Sequence, residues 1–267
     1  MKEKPLAINS FLEGEHVRGY YVEAVDKPGV LWSILDVFRK HEVNVLSINF
    51  SPTSKSERVG LLFIVADLKG AEGLDEKILK ELRDTQDVLN VELEKPQYFG
   101  ILADHLHFPL VDGNGRRCLL TSEKEYEYTL KLIRERLGSP GLALLYHEGR
   151  AIGSGYAKLF AELGIENLKD LITLFLIYIR GYGILKGELV ECSFDQSARK
   201  GKIIVRAYRL WECEAAKKAG INEPSSHKTR GVLAGLIEDY VKARVHVREV
   251  KCIAKGDPYC EFLAEIG

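Results

Sequence analysis

The sequence predicts an α+β protein built from two modules. Between Tyr20 and Glu94 the hydrophobic period switches repeatedly between two and 3.6 residues, as short strands and amphipathic helices require. A turn-rich stretch, KPQYFGILADHLHFPLVDGNGRR, interrupts this pattern from Pro96 onward. A longer run of helices and strands then fills the rest of the chain. At 267 residues, with 46% hydrophobic and 29% charged content, there is enough apolar material for a core in each module.

The elements of the first module follow in order. YYVEAV alternates as a strand, and DKPG turns the chain into a helix start. Val30, Leu31, Ile34, Leu35 and Phe38 share one helical face. VNVLSINF reads as a strand, SPTSKSE as a polar hairpin loop, and VGLLFIVADL as the returning strand. A second helix carries Leu74, Ile78, Leu79 and Leu82 in register, and VLNVELE closes the unit with a strand. The order is β-α-β-β-α-β, the ferredoxin-like arrangement.

Residues 18–95, and above all Asp26-Lys27-Pro28-Gly29-Val30-Leu31, resemble an ACT domain, the small regulatory module that commonly binds amino acids. The module boundary is set at residues 1–96. Pro28 stiffens the loop, and Gly29 permits a positive φ or a close ligand approach. The next helix turns its unpaired N–H groups toward that loop, where a carboxylate can sit. Asn44, opening the next strand, is expected to bond the main-chain groups of a bound amino acid. The alternative is a loop in which Asp26 caps the helix and no ligand binds. The resemblance also implies pairing with a second copy, a homodimer.

Residues 97–267 form the second module. EKEYEYTLKLIRERLG is helical, and GLALLYHEGRAIGSGYAKLFAELG reads as strand, turn and helix. GRAIGSG has neither the Lys-Ser/Thr ending of a phosphate loop nor the spacing of a dinucleotide fingerprint, so its glycines are assigned to the turn. LITLFLIYI lies between Asp170 and Arg180, too short to span a bilayer, and is expected as a buried helix. KGELVECSF and GKIIVRAYRLW are strands joined by DQSARK, and HKTRGVLAGLIEDYVKA is a further helix. His105 and His107 are assigned as ordinary loop residues.

The chain opens without the apolar core of a secretory signal, which predicts a cytoplasmic protein with its five cysteines as thiols or metal ligands. A net charge of −1 argues against direct nucleic-acid binding. Abundant Lys and Glu with a single Met suggest heat adaptation. No nucleophile elbow, HExxH helix or P-loop is present, and no carboxylate pair stands out for acid–base work.

The segment GVLAGLIEDYVKARVHVREVKCIAKGDPYCEF, with HEGRAIG and ECEAA before it, resembles the 4-vinyl reductase-type domain over about residues 100 to 267. That domain occurs in bacterial activators that sense phenols and toluene, and is related in fold to TRAPP vesicle-tethering subunits. The resemblance implies a zinc ion held by three cysteines and a glutamate. Glu249, Cys252 and Cys260 match the last three ligands, whereas the first cysteine's place is taken by Ser226. His227 is then the expected fourth ligand, with Cys213 as the alternative. On an ideal strand Glu249 and Cys252 face opposite sides, so both reach one ion only if the strand bends or bulges between them. Bound zinc, reduced buried thiols and a disulfide all remain open readings of this hairpin.

The same resemblance implies a pocket for a small hydrophobic or aromatic molecule. Its expected wall is the helix carrying Phe175, together with Phe160, Tyr182, Tyr208 and Trp211. The alternative is that these rings simply fill core. The functional expectation is a non-catalytic, dimeric sensor coupling an ACT module to a hydrophobic-ligand module across a short connection at Pro96. A vinyl-group reductase of tetrapyrrole or hydrocarbon metabolism under ACT feedback, and an assembly scaffold, are the rivals.

Overall fold

The structure is a computed structural model that describes residues 9–11, 16–52, 58–71, 73–97, 100–112 and 115–267. It divides into two compact units, Met1–Leu119 and Leu120–Gly267. The SPTSKSE loop lies largely outside the described residues.

The first unit contains β1 (Asn9–Phe11), β2 (Val17–Val25), α1 (Val30–Lys40), β3 (Asn44–Pro52), β4 (Val59–Asp67), α2 (Asp75–Arg83), β5 (Val88–Glu94) and β6 (Ile101–Ala103). Its four-stranded antiparallel sheet has the order β3-β4-β2-β5, as the βαββαβ pattern requires. Strand alternation sends Tyr20, Val22, Leu62, Ile64 and Val91 into one core with Ile34 and Phe38 of α1 and Ile78 and Leu82 of α2. The opposite face presents Val17, Tyr21, Phe63 and Val65, which Leu102 of β6 covers.

This second face explains why the unit boundary falls at Leu119 rather than at Pro96. Strand β6 pairs with β1, and the Tyr21 hydroxyl donates to Ala103 O at 2.9 Å and accepts from His105 N–H at 2.6 Å. Residues 101–107 of the turn-rich stretch therefore cover this face of the first unit's sheet. His107 stays a local residue, its ring on Tyr21 and its Nδ1 2.9 Å from Asp104.

The second unit contains α3 (Glu123–Ala161), α4 (Leu168–Gly181), β7 (Lys186–Asp195), β8 (Lys200–Tyr208), α5 (Trp211–Lys218), α6 (His227–Val241), β9 (Val245–Lys251) and β10 (Cys260–Ile266). The sheet order is β7-β8-β10-β9, all antiparallel. A capping box of Ser122 and Glu125 starts α3, which breaks at Gly138 just before Pro140. Helix α4 buries Leu168, Leu171, Ile172, Phe175, Leu176 and Ile179, as its apolar sequence predicts. No helix among the described residues is long and apolar enough to cross a membrane.

One sequence expectation is corrected here. GRAIGSG is not a turn but the middle of α3. A Cβ on Gly149 would lie 2.1 Å from Lys228 O, and one on Gly153 would lie 2.1 Å from Val232 O, both on α6. Reciprocally, a Cβ on Gly231 would meet Tyr146 O at 2.0 Å and one on Gly235 would meet Arg150 O at 2.1 Å. These glycines let two helix backbones touch, a packing demand that looks like turn chemistry in sequence.

Candidate metal centre and ligand loop

Cys213, Glu249, Cys252 and Cys260 converge in the second unit, each offering a ligand atom within 4.8 Å of the others. Cys213 sits in the first turn of α5 and is fully buried. Glu249 lies on β9, where the register shifts: Phe262 pairs with Glu249 but Glu261 pairs with Lys251, leaving Val250 as the extra residue. This bulge is the bend that lets Glu249 and Cys252 serve one centre. After Cys252 a 3-10 turn, Ile253–Lys255, brings the chain back to Cys260 at the head of β10. Cys252 N–H donates to the Asp257 carboxylate at 2.8 Å, and Ile253 N–H donates to Cys260 Sγ at 3.3 Å. The Gly-Asp-Pro turn thus orients both sulfurs.

The sulfurs of Cys213 and Cys252 are 3.5 Å apart, and Cys213 Sγ is 3.5 Å from Glu249 Oε1. Tetrahedral zinc with Zn–S bonds of about 2.3 Å sets its sulfurs about 3.8 Å apart, so the donor set fits such an ion after small adjustments. The protonation states point the same way. Burial pushes the Glu249 carboxyl up to about 7, opposed by its bonds to Ser226. Bonds from Cys213 and Cys260 hold the Cys252 thiol well below its usual range. The bond with Cys252 pushes Cys213 far up, helped by Cys260 and burial. Cys213 pulls Cys260 down, but its bond with Cys252 and burial push it up further. Without a cation, four acidic groups share protons in a dry space; a divalent ion removes that conflict.

His227, the expected fourth ligand, is outside this set, and Cys213 takes the place. Burial, then the charges of Arg230 and Arg134, push His227 down to about 4. Ser226 contributes its backbone N–H to Glu249 Oε2 at 3.3 Å.

Sequence reasoning assigned no role to Glu212, which is fully buried. Its carboxylate accepts from Lys228 N–H at 2.8 Å, and from Thr229 N–H and Oγ1 at 2.9 Å. It therefore caps α6, whose own Ser226 provides no side-chain cap. Burial pushes Glu212 up to about 6 despite these bonds. By fastening α5 to the start of α6, it fixes the neighbouring Cys213. Nothing local in ECEAA signals this, because the cap acts across 16 residues of sequence.

In the first unit, Asp26, Lys27, Pro28, Gly29, Val30 and Leu31 line a cavity of about 390 Å³, with Ile34, Phe50 and Leu62 behind them. Gly29 is the N-cap of α1 with φ +93°, a conformation L side chains rarely adopt. No side chain caps α1, and no acidic residue occupies its first turn. The Asp26 cap is thus not formed; Asp26 instead gives its N–H to Arg58 O at 2.6 Å. Asn44 is not among the lining residues. It pairs with Asp67, at the opposite end of the sheet from Val25, because parallel β2 and β3 put the start of β3 away from the end of β2.

The five expected pocket aromatics do not form one wall. Phe160 and Phe175 are buried against Tyr156. Tyr182 is half exposed and bonds Tyr178, Tyr208 packs on Tyr259, and Trp211 packs on Tyr126.

Comparison with known proteins agrees with this architecture. The chain contains an ACT domain, matched at residues 21–85, and a 4-vinyl reductase-type domain, matched at residues 207–266. The second match includes all four residues of the metal cluster. Two curated relatives come from Methanocaldococcus jannaschii. The uncharacterised protein MJ0150 is 45% identical over 124 residues, covering 46% of this chain and 64% of that protein. The uncharacterised protein MJ0855 is 32% identical over 116 residues, covering 43% of this chain and 42% of that protein. The matched part is therefore less than two thirds of the length of either relative. Among solved structures, the phenol-responsive sensory domain of the transcription activator PoxR aligns with a TM-score of 0.54 at 14% identity, over 59% of this chain and 84% of that one. That likeness establishes a shared fold. The domain pair fits a ligand-sensing regulatory role.

Proposed function

We propose that the protein is a non-catalytic sensor in which the ACT module binds an amino acid and the 4-vinyl reductase-type module is a zinc-stabilised receptor for a small hydrophobic molecule. The observation that carries this reading is the α1 N-terminus. It lacks both a side-chain cap and a first-turn acid, and it opens on a 390 Å³ cavity behind a glycine at φ +93°. Such an end binds carboxylates through free N–H groups and the helix dipole. Calorimetric titration of the full chain with the twenty L-amino acids tests it. Saturable binding of one or a few, weakened in Gly29→Ala, is the expected result; no binding at millimolar concentration refutes the amino-acid role.

Cys213, Glu249, Cys252 and Cys260 would hold the zinc. With all four positions supplied by protein, the ion has no open site and acts as a structural clip. The dimer would form through β3, an edge strand exposing Leu46, Ile48 and Phe50.

A further inference from the structure

A second cavity, of about 650 Å³, opens in the unit that carries the metal centre. Three elements build it: the start of α4, the β7–β8 hairpin and the end of α6. None of the metal-cluster residues and none of the five expected pocket aromatics lines it.

Each element contributes one cation, Lys169, Arg199 and Lys242, against a single carboxylate, Glu166. None of the three is ion-paired among the described residues, whereas Lys202 on the same hairpin pairs with Glu191, and Arg150 pairs with Glu238 of α6. The arrangement is held in place: an Arg199 guanidinium N–H donates to Lys242 O at 3.4 Å, tying the hairpin to the end of α6. Like charges gathered on a concave wall repel one another, and their field concentrates anions there. Beside the polar Asn167 and Gln196, the lining includes apolar side chains, with Leu168 and Val241 buried and Phe194 and Tyr240 half-buried.

We propose that this cavity binds an organic anion with an apolar body, its carboxylate or phosphate head on Lys169, Arg199 and Lys242 and its ring on Leu168, Phe194 and Tyr240. The site depends on neither the zinc nor the ACT-loop reading.

Calorimetry on the full chain with 2-naphthoate and 2-naphthyl phosphate tests the proposal, with 2-naphthalenemethanol as the neutral match and inorganic phosphate as the bare head. At least one aryl anion is expected to bind about tenfold or more tighter than both comparators. Binding should weaken as salt rises and fall by a similar factor in Lys169→Glu/Arg199→Glu and in Phe194→Ala. Equal binding of the neutral alcohol, equal binding of bare phosphate, no binding of either anion, or an unchanged affinity in the charge-reversed protein overturns it. Cys192, which also lines the cavity, provides an independent readout. The bound anion should slow its alkylation by iodoacetamide several-fold while Cys118, in the first unit, is unaffected. Equal rates at Cys192 with and without a bound anion place the ligand elsewhere and refute the assignment.

Discussion

The candidate ligand loop of the first unit and the candidate metal centre of the second are built by opposite means. Six consecutive residues, Asp26 to Leu31, make most of the loop, and its key property is one backbone angle at Gly29. The metal centre draws on α5, β9, the turn after it and β10, so its geometry depends on a bulge at Val250 and on Glu212 anchoring α6. A local site fails when its backbone is altered. A dispersed site fails when any supporting contact is altered, and its ligand in turn supports those contacts.

Metal removal should therefore produce the largest effect, and only on the dispersed site. The chain has two tryptophans, Trp32 in the first unit and Trp211 in the second, so Trp32→Phe leaves a reporter beside the metal centre. Purified without chelator, the protein should contain about one zinc per chain. Chelation, or Cys252→Ser, should lower the unfolding free energy reported by Trp211 by about 4 kcal/mol when free zinc is a thousandfold above its dissociation constant. An unchanged urea midpoint after chelation would mean that the four groups form a proton-sharing cluster and bind no structural ion.

The packing of α3 against α6 comes next. Gly153→Ala places a Cβ 2.1 Å from Val232 O and 2.7 Å from Leu236 N, so α3 and α6 must separate. A loss of about 3 kcal/mol is expected, at the upper end for overpacking because backbone cannot yield as a side chain does. Gly155→Ala is the control: the same helix, with nothing within 4 Å of the new Cβ. It should stabilise by up to about 1 kcal/mol through helix propensity. Equal destabilisation by both substitutions would break the close-contact explanation.

The same contrast explains what was legible in the sequence. The βαββαβ order and the Asp26–Leu31 loop were readable because local periodicity and turn chemistry specify them. Three of the four residues of the candidate metal site, Glu249, Cys252 and Cys260, came from the family resemblance of one hairpin, and the need for a bulge followed from strand alternation. The fourth, Cys213, was legible only as an alternative to His227, because it is 36 residues from Glu249 in the chain and joins it through tertiary packing. His227 looked better by proximity to Ser226, yet its ring is not among the four ligand groups that converge. The helical glycines were misread for a related reason: glycine serves turns and close helix contacts alike, and only the partner helix distinguishes them.

At the local site the expected effect is smaller and differently divided. Gly29→Ala forces a Cβ into left-handed backbone, costing about 1–2 kcal/mol although open space surrounds it. Urea unfolding of the Trp211→Phe protein, which retains Trp32 on α1, measures that cost. A full loss of amino-acid binding with only this modest destabilisation would sharpen the contrast, since the cavity wall would have moved while the core stayed intact. A neutral stability change would show that the loop relaxes to negative φ.

A further effect concerns pH and His227. Its folded-state value, pushed down to about 4, lies below the ordinary imidazole value of about 6.5. Between those two values the unfolded chain binds a proton that the folded chain rejects, so stability rises with pH across that window. The contribution is complete above about 6.5 and is lost as pH falls toward 4. Glu249, pushed up to about 7, acts with the opposite sign in metal-free protein: its protonated form favours the fold, and that contribution is lost as pH rises through 7. Urea midpoints of metal-free wild type and His227→Gln between pH 4.5 and 7 separate the two. The difference curve should slope downward on acidification by His227 alone, while the variant retains the opposing Glu249 trend. A flat difference curve would mean that burial beside Arg134 and Arg230 does not hold the ring neutral in the folded protein.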